Sequence, residues 1–206
     1  MPATTGAIAL SALEVPAALG RKVVDWRRDL HAHPELGHAE TRTAALVARH
    51  LRTLGLEPVT GIAGTGVTAV LKGTRPGARV ALRADMDALP VTEATGLPYA
   101  STAASTYRGQ PVGVMHACGH DLHVAILMGV AEALVARRDT LAGEVLFVFQ
   151  PAEEGPPDGE AGGAEEMLAQ GVFRDFKPDA VFGLHVFSTL QAGQIGVREG
   201  PLMAAS

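Results

Sequence analysis

The chain has 206 residues, 47% of them hydrophobic and 19% charged, which is typical of a globular protein with one or at most two domains. A formal net charge of −5 at pH 7 argues against nucleic acid or an anionic membrane as a partner. One cysteine cannot form an internal disulfide, and no apolar run approaches transmembrane length, so the cytoplasm is the default location. Residues 1–14 lack the features of a signal peptide and are interpreted as a flexible leader before a domain of 15–206.

Helical periodicity predicts two helices near the start of the chain. Apolar residues recur at helical spacing over 15–30, and Pro34 predicts that this helix ends close by. A second amphipathic segment covers 40–54. The spacing His31-x-His33 could serve a metal, but surface or helix-capping roles are the preferred interpretation.

The next stretch changes to short β-prone runs. Residues 66–71 and 79–83 flank a turn-rich connection, which predicts that these two strands pair with each other. Residues 91–114 show no clear periodicity and are predicted to form a long surface loop. Long ordered loops of this kind often border an active site.

The second half alternates between helix and strand. The segment 122–134 carries a strong helical stripe, and Asp121 is placed to cap that helix. Further elements are predicted at 144–149 (a strand buried on both faces), 164–170 (a short helix), 180–184 (a second buried strand) and 193–198 (a weaker strand). This alternation predicts an α/β domain with a largely buried sheet.

Chemically reactive side chains follow the predicted strands or precede the long helix, which is where sites gather in α/β folds. They are Asp85, Asp87, Cys118, His120, Glu153, Glu154 and His185. Thiolate, imidazole and carboxylate groups together form a ligand set for one or two divalent ions. The alternatives are a buried free cysteine beside ordinary turn histidines, and a solvated acidic loop.

Adjacent Glu153 and Glu154 suggest a division of labour. On an extended backbone their side chains would point in opposite directions, so one could bind metal while the other takes a proton from a metal-activated water. The spacing does not say which glutamate does which. A closed structural zinc site is disfavoured because the chain has no C-x-x-C unit. Nucleophilic catalysis by Cys118 with a histidine is a rival that leaves the glutamates without roles.

Five motifs in order resemble one known family. They are Arg28-Asp-Leu-His-Ala-His-Pro-Glu35, Arg83-Ala-Asp-Met-Asp-Ala-Leu-Pro90, Met115-His-Ala-Cys-Gly-His-Asp121, Phe149-Gln-Pro-Ala-Glu-Glu-Gly155 and Gly183-Leu-His-Val186. This pattern is similar to the amidohydrolase branch of the aminoacylase/carboxypeptidase metallopeptidases, which includes hippurate hydrolase, N-acyl-L-amino-acid amidohydrolases and auxin-conjugate hydrolases. The similarity covers nearly all of 15–206.

The resemblance implies a three-layer α/β catalytic domain with a mixed, mostly parallel sheet and two divalent ions (zinc, manganese, cobalt or nickel). It also implies hydrolysis of the amide bond in small N-acyl amino acids. By the same resemblance the metal ligands are Cys118, His120, Glu154 and His185. Glu153 would be the general base and Asp87 would orient the centre. Asp85 occupies a place where related branches carry a ligand histidine, so a metal-binding role for it is doubtful, and His116 and Asp121 are expected to support or cap.

Members of this family carry a lid or dimerisation domain after the segment that matches 200–206, and a final histidine ligand further on. The resemblance therefore implies that this chain is the N-terminal part of an incomplete catalytic domain whose lid is absent, and that full-length relatives form homo-oligomers. Two further hypotheses remain. One is a dipeptidase or N-acyl-diaminopimelate deacylase of the same family, and the other is a truncated, non-catalytic metal-binding remnant.

Overall fold

The computed structural model describes residues 15–155 and 159–197. Within these ranges the helices are α1 (Ala17–Ala32), α2 (Thr41–Thr53), α3 (His120–Val135) and α4 (Gly163–Ala169), with a 3₁₀ turn at Arg138–Thr140. The strands are β1 (Val59–Ile62), β2 (Gly66–Lys72), β3 (Arg75–Asp85), β4 (Ala104–Tyr107), β5 (Gln110–Gly113), β6 (Ala142–Gln150) and β7 (Ala180–Gly183). In the described part of the chain no helix is long and apolar enough to cross a membrane.

The main sheet is mixed and has the strand order β1-β2-β6-β3-β7. Strands β6, β3 and β7 run parallel, whereas β2 runs antiparallel to both β1 and β6. Four of these five strands therefore share one direction. The predicted α/β class with a mixed, mostly parallel sheet is confirmed.

The predicted pairing of 66–71 with 79–83 is wrong, because β6 lies between β2 and β3. β6 is the more apolar strand, and side chains on both of its faces are buried. A strand of this kind needs neighbours on both edges to satisfy its backbone groups away from water. β2 and β3 fill those two places and consequently do not meet.

Helices cover both faces of the sheet, as in a three-layer domain. On one face α2 and α3 pack against alternate side chains of β6, including Phe147 and Phe149, which are fully buried. On the other face Leu146 and Val148 pack with Met167 of α4. Burying a side chain of this size contributes about 1.5–3 kcal/mol, so β6 is the centre of the core. The strand predicted at 144–149 is confirmed as buried on both faces.

Helix α3 is buried on more sides than its sequence stripe suggested. It lies between the sheet and α1, and most of its residues from His120 to Gly129 are buried. The predicted stripe consists of Leu122, Ala125, Ile126, Gly129, Val130, Ala133 and Leu134. Val124, Leu127 and Met128 are also buried and do not belong to it. A helix with neighbours on opposite sides buries apolar groups all round, which explains why a one-sided stripe describes it poorly.

Three further predictions need correction. The expected loop 91–114 contains the hairpin of β4 and β5. β7 forms as predicted but is not buried, since Val181 and Phe182 are 52% and 59% exposed. Residues 193–197 form no strand, because they have no ladder partner among the described residues, and Arg198 lies outside those residues. The predicted leader 1–14 also lies outside the described part of the chain.

Candidate metal centre

The parallel strands bring the predicted site residues to one edge of the sheet. Asp85 ends β3 and pairs in register with Gln150, which ends β6. The segments that follow these strands therefore leave the sheet side by side and carry Asp87, Glu153 and Glu154 to the same place. Helix α3 begins at this edge, and its first residue is His120.

His120 is the centre of the cluster. Its side chain is fully buried, and its Nδ1 lies 3.3 Å from Asp87 Oδ1. Its Nε2 lies 3.6 Å from Glu154 Oε1 and 3.7 Å from Glu153 Oε2. These separations are too long for good hydrogen bonds but suit groups that share a cation. The residues predicted from different strand ends therefore converge on the imidazole ring of His120.

The two glutamates do not diverge as the extended-backbone argument predicted. Ala152 has a φ of 45°, in the left-handed region that non-glycine residues rarely adopt, so the backbone turns sharply before Glu153. After this turn both carboxylates approach the same atom, Nε2 of His120. A hydrogen bond holds the segment after this turn, because the Glu154 backbone N–H donates to Asp87 Oδ2 over 2.8 Å.

Cys118 and His185 form the other side of the cluster. The Cys118 Sγ lies 3.5 Å from His185 Nε2, and His185 Nδ1 donates to the Val186 carbonyl over 2.7 Å. This bond leaves the lone pair of Nε2 directed towards the cluster. Burial raises the pKa of the Cys118 thiol to about 12, with help from the neighbouring carboxylates of Glu154, Glu153 and Asp85. The thiol is therefore protonated at neutral pH until a cation replaces the proton.

The unpartnered atoms of this cluster fit a divalent cation. Among the described residues, both ring nitrogens of His120, Asp87 Oδ1 and Glu154 Oε1 are buried without a hydrogen-bond partner. Buried polar atoms normally have hydrogen-bond partners, so several unpartnered ligand atoms that face one another indicate a site for a cation. Three groups of possible ligand atoms share His120, and within each group the atoms lie within 4.8 Å of one another. One group adds Cys118 and His185, one adds Glu153 and Glu154, and one adds Asp85 and His123.

The charges of the cluster perturb its own titration. Burial disfavours the His120 imidazolium, but the interaction with Asp87 and the charges of Asp85 and Glu154 outweigh it and raise the pKa of His120. Burial also raises the pKa of Glu153, and the charges of Asp85 and Glu154 act in the same direction. An excess of carboxylates that raises a histidine pKa is an environment that attracts cations.

Asp85 belongs to the support of the cluster and not to its unpartnered atoms. Its Oδ2 accepts a hydrogen bond from Arg83 over 2.8 Å, and its Oδ1 accepts one from His123 Nδ1 over 2.5 Å. Burial alone would raise the pKa of Asp85, but the His123 bond and the charges of His120 and Arg83 lower it to about 2. Sequence reasoning missed His123, although its i+3 spacing from His120 places both on one helix face.

The histidines beside the first helix have different roles from those predicted. His31 is buried, and its ring contacts Asp121 Oδ2 at 2.7 Å and Glu93 Oε1 at 3.1 Å. Its interpretation as a surface or capping group is therefore wrong, whereas His33 is exposed as expected. The prediction that Asp121 caps α3 is wrong, because the residue before the helix is Gly119 and Asp121 lies within the first turn. Asp121 instead links that turn to Arg27 of α1. His116 is buried, and burial lowers its pKa to about 4.

A cavity of about 160 Å³ opens beside Asp87 and Glu154. Its wall includes Leu36, Pro90 and the tip of the β4–β5 hairpin with Tyr107. The hairpin therefore stands over one side of the cluster, which agrees with the expectation that the 91–114 segment borders the site.

Known proteins resemble this chain over most of its length. A thermostable carboxypeptidase of Saccharolobus solfataricus is 46% identical over 189 residues, covering 89% of this chain and 45% of the relative. An N-acyl-L-amino acid amidohydrolase of Geobacillus stearothermophilus is 46% identical over 183 residues, with 89% and 46% coverage. A Bacillus subtilis dinuclear metal-binding peptidase of the M20 family superposes with a TM-score of 0.78 at 43% identity, with 90% and 48% coverage. The chain thus spans about half the length of these relatives.

The fold and the cluster together define an α/β protein with a candidate divalent-metal centre at the carboxyl ends of its parallel strands. The sequence model of peptidase family M20/M25/M40 matches residues 81–200, which is more than half of the chain. The chain belongs to this family, and the family resemblance expected from the five motifs is confirmed.

Proposed function

We propose that this chain is the N-terminal portion, residues 15–206, of a metal-dependent amidohydrolase that cleaves small N-acyl amino acids. The observation that carries the proposal is the set of buried, unpartnered ligand atoms around His120, with the Glu153 carboxylate beside them. The names of relatives that cleave acyl-amino acid or peptide bonds support the substrate class.

Cys118, His120, Glu154 and His185 would hold two divalent cations, zinc or manganese being the ions we expect. Bound cations supply the Lewis acidity that makes a water nucleophilic at neutral pH and polarises an amide carbonyl. Asp87 would orient this centre, because one of its oxygens faces His120 Nδ1 and the other holds the backbone of Glu154.

Glu153 is the general base of the proposed reaction. Its side chain is 35% exposed and that of Glu154 is 19% exposed, so Glu153 is the more accessible of the two to an incoming water. Its raised pKa makes it a better proton acceptor than an ordinary carboxylate. It takes a proton from the attacking water as the carbon–oxygen bond forms and gives it to the amine nitrogen as the carbon–nitrogen bond breaks.

The acyl group of the substrate would enter the cavity beside Asp87 and Glu154. The cavity volume of about 160 Å³ is comparable with an apolar cavity of roughly 150 Å³ that holds a benzene ring. A benzoyl group, as in hippurate, therefore fits by size. The single cysteine needs no oxidising compartment, and we expect the protein in the cytoplasm. We also expect homo-oligomers of the full-length protein.

The test is metal-dependent hydrolysis of hippurate, N-acetyl amino acids, N-acetyl-diaminopimelate and dipeptides by this chain and by any longer product of its gene. Glu153→Gln should abolish turnover while zinc binding remains, whereas Cys118→Ala and His120→Ala should lose zinc. Glu165→Gln neutralises an exposed glutamate of α4 and serves as the matched control. Zinc or manganese binding without hydrolysis in every form would establish the metal-binding remnant, and activity in Glu153→Gln would refute the assignment of the base.

A further inference from the structure

We propose that His123 is a positioning residue that holds His185 in place as a metal ligand through the backbone of Val186. The inference depends on the metal centre proposed above. It assigns a role to a histidine that is neither a ligand nor a base, and it explains how the short strand β7 can deliver a well-placed side chain.

The hydrogen bonds of His123 fix its tautomer. An ionised Asp85 can only accept, so His123 Nδ1 donates to it over 2.5 Å. The Val186 backbone N–H can only donate, so His123 Nε2 accepts from it over 3.0 Å. Both ring nitrogens are therefore used, and the ring has no lone pair left for a cation. This excludes His123 as a ligand although its ring lies near those of His120 and His185.

His123 is itself held in place by buried hydrogen bonds. Asp85 and His123 are buried, and Arg83 holds the second oxygen of Asp85 over 2.8 Å. The same guanidinium donates to Gln150 Oε1 over 2.9 Å. The chain of contacts thus ties α3 to the ends of β3 and β6, so that His123 presents a fixed acceptor to the segment that follows β7.

Val186 is held on three sides. Its N–H donates to His123, and its carbonyl accepts from His185 Nδ1 over 2.7 Å. Its side chain packs against Gly119, where an added Cβ would lie 2.4 Å from Val186 Cγ2. These contacts direct His185 Nε2 towards Cys118 Sγ.

The rest of the β7 segment offers little support. Strand β7 has four residues and pairs only with β3 among the described strands. Leu184 and Phe187, on either side of His185, are 48% and 41% exposed. Without the hydrogen bond to His123, the backbone N–H of Val186 would lose its tie to α3. Packing of Val186 on Gly119 and ring contacts of His185 with His123 and Phe187 would remain.

Two substitutions separate the contacts of His123. His123→Asn keeps a donor near the position of Nδ1 for Asp85 but cannot reach Val186. His123→Gln keeps an acceptor near the position of Nε2 and so retains the bond to Val186. We expect His123→Asn to lower the zinc affinity about 10–100-fold, as loss of a ligand-orienting contact does, and His123→Gln to stay within about threefold of the original protein.

The measurement is zinc titration in competition with a chromogenic chelator, with a double-mutant cycle through His185→Ala. If His123 acts through His185, His123→Asn has no further effect in the His185→Ala background. Equal losses in Asn and Gln variants, or an undiminished Asn effect without His185, would overturn the inference while leaving the metal centre intact. A starting protein that binds no zinc would instead overturn the centre itself, and the positioning role with it. Thermal unfolding of the metal-free variants separates these effects from loss of the fold.

Discussion

Glu40 is the residue whose replacement most directly tests how the turn at Ala152, before Glu153 and Glu154, is held. It is fully buried at the start of α2, where its Oε1 accepts a hydrogen bond from the Ala152 backbone N–H over 2.8 Å. Its Oε2 accepts another from the Thr65 hydroxyl over 2.6 Å. The bond to Ala152 stabilises a left-handed residue immediately before Glu153. Glu40→Ala should therefore destabilise the fold and misplace both glutamates.

The expected loss follows from these contacts. Glu40→Ala leaves the buried Ala152 N–H and the buried Thr65 hydroxyl without their acceptor, at a cost of about 1–3 kcal/mol each. The left-handed conformation of Ala152 is strained in both proteins and so adds nothing to the difference. We expect Glu40→Ala to lower the free energy of unfolding by about 3 kcal/mol. For a chain of this size that corresponds to a fall in melting temperature of about 6–12 °C. Glu40→Gln keeps an acceptor for Ala152 and should cost less than about 1 kcal/mol at neutral pH.

The pH dependence of this pair gives an independent check. Burial raises the pKa of Glu40 above its ordinary value of 4.5, and the charge of Asp87 adds to this. The folded protein then binds the Glu40 proton more tightly than the unfolded chain does, so this contribution to stability is lost as the pH rises through the folded pKa. The free energy of unfolding of the original protein should consequently fall relative to Glu40→Gln between pH 4 and pH 7.

Chemical denaturation of both variants across this pH range, followed by circular dichroism, measures both effects. Zinc affinity measured on the same samples shows whether the misplaced turn also weakens the contribution of Glu154. A loss below 1 kcal/mol for Glu40→Ala, or a Gln variant as unstable as the Ala variant, would refute the reasoning. A constant stability difference between the original protein and Glu40→Gln would refute the pKa argument alone.

Three other changes have expected outcomes. With a thiol pKa of about 12, Cys118 must release a proton when it binds zinc, so the zinc affinity should rise about tenfold per pH unit from pH 7 to pH 8. Cys118→Ala should flatten that slope in a chelator titration. An unchanged slope would contradict the thiolate ligand. Gly119→Ala places a methyl group on a residue with a φ of 89° and against the side chain of Val186. It should lower the free energy of unfolding by roughly 2 kcal/mol or more, measured in denaturant, and weaken zinc binding. Unaltered zinc binding would contradict the close approach of Gly119 and Val186. Phe147→Ala removes a fully buried ring and should lower the free energy of unfolding by about 3–5 kcal/mol in the same assay. Val181→Thr, at an exposed position, is the control and should change it by no more than about 0.5 kcal/mol. Similar losses for the two variants would contradict the placement of the core.

The sequence predicted the positions of the helices and strands better than it predicted which strands lie side by side. Helices α1, α2 and α4 and strand β6 lie close to the predicted ranges, because local periodicity and strand composition depend on nearby residues. The order of strands depends on partners far along the chain, which is why β6 was not expected between β2 and β3. Positions at strand ends could nevertheless be predicted, since the direction of β3, β6 and β7 alone places their carboxyl ends together.

The β4–β5 hairpin escaped prediction for a different reason. Both strands are largely exposed, so they show no alternation of buried and exposed residues that a pattern could detect. Its turn residues, Arg108 and Gly109, have φ values of 49° and 74°, as the tight turns that suit hairpins require. Asn or Asp before the glycine would have signalled this turn, whereas arginine is not a usual residue for it.

Within the site, hydrogen-bond satisfaction distinguishes side chains that the sequence presents as equals. Asp85 and Asp87 stand two residues apart, yet both oxygens of Asp85 are bonded while Asp87 Oδ1 has no partner among the described residues. His120 and His123 stand three apart, and only His123 has both nitrogens bonded.

In each pair the satisfied member fixes the scaffold and the unsatisfied member faces the centre. Residue type and spacing are the same for both roles. Which role a side chain takes depends on partners such as Arg83 and Val186, and the latter lies 63 residues from His123 along the chain. A buried polar atom left without a protein partner costs stability, and around His120 several such atoms lie close together, where one bound cation would supply the interaction that each lacks. That argument points to His120 and Asp87 as parts of the centre, independently of any resemblance to other proteins.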